Sequence, residues 1–182
     1  MKKLALATSL VAAMAAISGA QAASTGTITF NGELTATTCN VNVDGQGNDA
    51  TIALPRAGIN DLTTEGQTRS RTSFNMLLSE CEGTLLTAAA YFEAGPTVDT
   101  AGRLNNELTG TDAATEVQFQ LRDGSGDNEV IKVGDASQGV NTTFVDISTG
   151  TATLPYMVEY YATGRTTAGL VSSKVVYSIQ YD

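Results

Sequence analysis

Apolar and polar residues alternate along most of the chain. Ile28, Phe30 and Leu34 alternate with Thr27, Thr29, Asn31, Glu33 and Thr35, and Phe74, Met76 and Leu78 alternate with Ser73, Asn75 and Leu77. Val117, Phe119 and Leu121 alternate with Glu116, Gln118, Gln120 and Arg122, and Tyr156, Val158 and Tyr160 with Met157, Glu159 and Tyr161. The period of two is that of strands laying one face on a core. Shorter strands are predicted at 51–54, 88–92, 129–133 and 143–147. The clusters 44–49 (DGQGND) and 123–128 (DGSGDN) read as turns, and Gly164 and Gly169 bracket another. Only 60–65 and 113–116 suggest helix, a single turn each. Many short strands between turns predict one all-β sandwich domain. In its last stretch, "VVYSIQYD", Val175, Tyr177, Ile179 and Tyr181 alternate, with Val176 the apolar exception. A well-patterned strand thus reaches within one residue of the end of the sequence, and its outer edge needs a partner.

Composition adds a compartment. Lys2 and Lys3 precede an Ala-rich apolar run from Leu4 to Ile17, and Ala20-Gln21-Ala22 has the small-x-small form of a cleavage site. These predict a secretory signal peptide, 1–22, cut after Ala22. The run is too short to span a membrane, and no later segment is apolar enough to do so. The remaining domain, 23–182, keeps 8 basic and all 19 acidic residues, a net charge of −11. That charge argues against nucleic acid or an anionic membrane surface as partner. Cys39 and Cys81 are the two cysteines. In an exported chain an even count predicts a disulfide, and one pairing is available.

Several chemistries lack their residues. There is no histidine, which removes His-based triads and most zinc and copper sites. No phosphate-binding glycine loop is present. Asp123, Ser125, Asp127 and Glu129 alternate like calcium ligands, but the glycine and closing glutamate of such a loop are missing, so a hairpin turn is predicted. Asn141-Thr142-Thr143 has the form of a glycosylation sequon and reads as an ordinary turn. No catalytic, metal or cofactor site is predicted, and the chain reads as a non-enzyme.

The segments "GTITFNGEL" (26–34), "SFNMLLSEC" (73–81) and "YYATG" (160–164), the penultimate Tyr181, and Gly169 as the fourteenth residue from the C-terminus occur together. This combination resembles the fimbrial (pilus) subunits of the chaperone–usher family, close to type 1 major pilins, over essentially the whole chain. The resemblance implies an incomplete immunoglobulin-like β-sandwich whose missing strand comes from another chain. It implies three partners: a periplasmic pilus chaperone that lends a strand, an outer-membrane usher, and neighbouring pilin subunits joined head to tail. It assigns Gly169, Val171, Val175, Tyr177, Ile179 and Tyr181 to the groove edge and matches Cys39 and Cys81 to the family disulfide. A surface fimbrium supporting adhesion and biofilm formation is the implied product.

The donor strand is less fixed. Many such subunits carry a dozen or more residues before this first strand, whereas cleavage after Ala22 leaves Ala23-Ser24-Thr25 before Gly26. Either cleavage falls after Ala15, or the donor includes Ile28, Phe30 and Leu34 themselves. As alternatives to a shaft subunit stand a minor or tip-associated fimbrial adhesin and, more distantly, a secreted carbohydrate-binding sandwich.

Overall fold

A computed structural model of the chain describes residues 26–32, 34 and 36–182. The predicted leader, 1–22, lies outside the described residues. The chain divides into two compact units, 1–33 and 34–182. In the first, residues 26–32 hold no regular secondary structure and are exposed. Ile28 and Phe30 are 78% and 89% exposed, and Leu34, which opens the second unit, is 101% exposed. The alternation at 27–35 therefore does not produce a strand among the described residues. A strand needs a ladder partner for its backbone groups, and none is paired with this segment.

The second unit is built from nine strands: β1 (Thr38–Val43), β2 (Thr68–Glu82), β3 (Thr87–Phe92), β4 (Leu104–Asn105), β5 (Val117–Asp123), β6 (Val130–Ile131), β7 (Val145–Asp146), β8 (Ala152–Ala162) and β9 (Tyr177–Tyr181). The larger sheet has the order β1-β2-β8-β5-β4, with β6 also paired to β5; the smaller has the order β7-β3-β9. All the pairs are antiparallel.

The core forms where the alternation predicts it. Phe74, Met76 and Leu78 of β2, Leu154, Tyr156 and Val158 of β8, and Phe119 and Leu121 of β5 cluster with Ala88, Ala90 and Phe92 of β3. Tyr156 ties the two sheets together. Its ring meets Phe92 edge-on at 5.1 Å, and its hydroxyl accepts the Ala90 N–H at 2.8 Å. The alanines of β3 are fully buried, so the smaller sheet approaches with little side chain between the layers.

Several expectations are corrected. Segment 51–54 forms no strand. The strands predicted at 129–133 and 143–147 shorten to the two-residue β6 and β7. No helix forms at 113–116, where Ala113 instead bridges Leu170. From 60–65 only Asn60 and Asp61 join a 3₁₀ turn, Ile59–Asp61. Three elements went unread: β1, whose Cys39, Val41 and Val43 do alternate with polar residues, the two-residue β4, and the single-turn helix α1 (Gln138–Asn141). The cluster at 123–128 joins β5 to β6 as a hairpin. There the buried Asp123 carboxylate accepts the Ser125 N–H at 2.8 Å and the Thr143 N–H at 2.7 Å, as a structural anchor.

Candidate functional site

The smaller sheet ends at β9. One edge of β9 pairs with β3, from Phe92 opposite Tyr177 to Ala88 opposite Tyr181. Among the described residues no strand pairs with its other edge. The strand predicted back to residue 171 is regular only from Tyr177, because β3 ends at Phe92 and the chain then turns at Pro96. Residues 171–176 are instead tethered singly. Glu93 N–H donates to the Val176 carbonyl at 2.8 Å, the Thr97 hydroxyl to that of Lys174 at 2.9 Å, and Glu107 N–H to that of Ser172 at 2.8 Å.

Beside this segment a cavity of about 490 Å³ opens into the sandwich. Its floor is core from the larger sheet, including Phe74, Met76, Phe119 and Val158; one bank is residues 173–177 and the other Asn48, Asp49, Ala50, Ile52 and Leu54. The segment 51–54 thus has a place in the site although it is not a strand. Two tyrosines of β9 reach out from the strand, Tyr177 to the far bank and Tyr181 to β1. Tyr177 donates its hydroxyl to the Asn48 carbonyl at 2.7 Å, and the Tyr181 hydroxyl accepts the Cys39 N–H at 3.0 Å. Burial, followed by the nearby Asp49 carboxylate, pushes the Tyr177 phenol above its ordinary value, so it stays a donor at neutral pH. Cys39 is held in turn by its disulfide to Cys81, which joins β1 to β2.

Val171, Val175, Tyr177, Ile179 and Tyr181 are all half-buried and pack on the core cluster, as their alternation requires, while Val176 turns outward. Gly169 lies elsewhere. It packs against Ala113 and Ala114, where an added Cβ would come within 2.4 Å of the Ala114 nitrogen, and it does not line the cavity. The chain needs glycine there for close backbone approach. Ile28, Phe30 and Leu34 stand exposed, outside any strand.

The described residues thus form a sandwich with a bare edge strand beside an apolar opening. The chain belongs to the type-1 fimbrial protein A family, whose model matches residues 54–182. It is 41% identical over 165 residues to the major fimbrial subunit SMF-1 of Stenotrophomonas maltophilia (strain K279a), covering 88% of this chain and 94% of that one. It is 38% identical over 172 residues to the F17 fimbrial protein of Escherichia coli, covering 92% and 93% of the two chains. Its fold is similar to the crystal structure of the P pilus rod subunit PapA, with a TM-score of 0.55 at 17% identity over 79% of this chain and 99% of that one.

Proposed function

We propose that this pilin polymerises by donor-strand exchange, with the segment 26–34 of one copy entering the groove beside β9 of the next. The observation that carries the reading is a pairing of deficits. The chain has an apolar opening beside an unpaired strand edge, and it also has an apolar, alternating segment exposed outside any sheet. Each supplies what the other lacks: ladder partners for the edge, and side chains for the opening. Burying Ile28, Phe30 and Leu34 contributes about 1.5–3 kcal/mol each. The contact joins different surfaces of two copies, so it propagates as a fibre and does not close into a ring.

Before assembly the same opening needs a temporary occupant. A strand lent by a periplasmic chaperone fits it, followed by hand-over at an outer-membrane usher after export and cleavage of residues 1–22. The product is a surface fimbrium that supports adhesion and biofilm formation, and the subunit's role in it is structural, with no reaction catalysed.

The test is a charged residue on the donor. The Phe30→Asp chain should fold and keep its disulfide, since Phe30 is exposed within its own chain. It should form no SDS-resistant ladders, while the unaltered chain does. Wild-type-like ladders from that variant would sink the assignment of the donor. A synthetic 23–34 peptide should displace a chaperone from the unaltered subunit and raise its Tm.

A further inference from the structure

Resting on the donor-strand reading, we infer that Ser173 is a strand-binding residue of the groove: its hydroxyl is held for a hydrogen bond that an inserted strand completes. Ser173 occupies the same alternate row as Val171, Val175, Tyr177, Ile179 and Tyr181. It lines the opening. The row carries three hydroxyls. Tyr177 has the Asn48 carbonyl and Tyr181 has the Cys39 N–H. The Ser173 hydroxyl is buried and has no partner within the chain.

Buried polar atoms are nearly always paired, and one left unpaired costs more than an apolar group of the same shape would. A row that needed only to floor an apolar groove would carry alanine or valine at this position. A hydroxyl there is a liability in the unfilled subunit and becomes an asset when a partner arrives. The donor's apolar row, Ile28, Phe30 and Leu34 with glycines at 26 and 32, offers no polar side chain. The partner is therefore a main-chain group of the inserted strand.

The experiment compares Ser173→Ala and Ser173→Thr in the full chain, with two readouts. In the isolated subunit the hydroxyl makes no bond, so Ser173→Ala should leave the subunit's Tm unchanged or slightly raised. In the polymer it loses a bond, so ladders of Ser173→Ala should form but dissociate in hot SDS about tenfold faster, the worth of one hydrogen bond. Ser173→Thr keeps the hydroxyl and should restore the rate. Ladders of Ser173→Ala as durable as the unaltered ones would overturn the inference, and so would a loss of subunit Tm equal to the loss in the polymer. If the unaltered chain forms no ladders, it is the donor-strand reading that fails.

Discussion

Glu159 is 1% exposed, yet it lies on the face of β8 turned away from the core residue Val158. Its carboxylate accepts from Arg122 at 2.7 Å, from Arg71 at 2.9 Å and from Gln120 at 2.8 Å. Burial pushes this carboxyl up, but the bonds from Arg122, Arg71 and Gln120 together outweigh it and hold the group below its ordinary value. A carboxylate with a depressed pKa in the folded state stabilises the fold above its unfolded pKa and loses that contribution as pH falls through the folded one. The loss therefore belongs below pH 4.5, the group's ordinary value. Arg122→Ala leaves a buried charge with one guanidinium. It should cost about 3 kcal/mol at neutral pH, near the lower end for breaking a buried pair because Arg71 remains. Urea titration at pH 7 and at pH 3 checks both claims: the variant and the unaltered chain should differ less at the lower pH. The alternation marked Glu159 as a solvent-facing position. Nothing along one strand tells that the cations of two neighbouring strands converge there.

At the scale of elements, the smaller sheet has an edge managed by a side chain. β7 covers only the first two residues of β3. At the far end Gln138 of α1 takes the place of a strand: its side-chain oxygen accepts the Phe92 N–H at 3.0 Å, and its amide nitrogen donates to the Phe92 carbonyl at 3.0 Å. Gln138→Leu keeps most of the volume but leaves the buried Phe92 N–H unpaired, while the Phe92 carbonyl keeps the Gly134 N–H at 2.9 Å. It should lower stability by about 1–3 kcal/mol, read as a shift in the denaturation midpoint with unchanged m. The long strands were legible because a period of two survives wherever one face meets a core; β2, β3, β5, β8 and β9 all came from it. The two-residue strands are too short to show a period. α1 has none to show, because its one inward residue is a glutamine chosen for its hydrogen bonds. The groove's second bank was missed for a related reason: residues 51–54 are held beside an opening and not within a ladder, so their pattern mimics a strand that does not form.

At the scale of the molecule, the family, the sandwich and the open edge could be read from the two ends of the sequence and the cysteine positions. The geometry of the cavity could not, because it depends on strands brought together from distant parts of the chain. The disulfide is where that distance is closed covalently. Cys39 and Cys81 are separated by 42 residues, and their bond is worth about 4 kcal/mol in the chain-entropy model. Replacing both with serine should lower the denaturation midpoint accordingly.

The position of that bond has a mechanical consequence. Cys39 is the second residue of β1, a few residues beyond the exposed segment that ends at Leu34. On the donor-strand proposal, tension drawn along a fibre through this segment would reach the disulfide almost as soon as it enters the folded unit. It then passes directly to β2, skipping the chain between. That bypassed loop, fully extended, would measure about 140–150 Å. With the bond intact, this length is not available for the subunit to pay out. A fibre joined in this way from oxidised subunits would lengthen by shifting whole folds against each other, with the chain between Cys39 and Cys81 kept out of the extension.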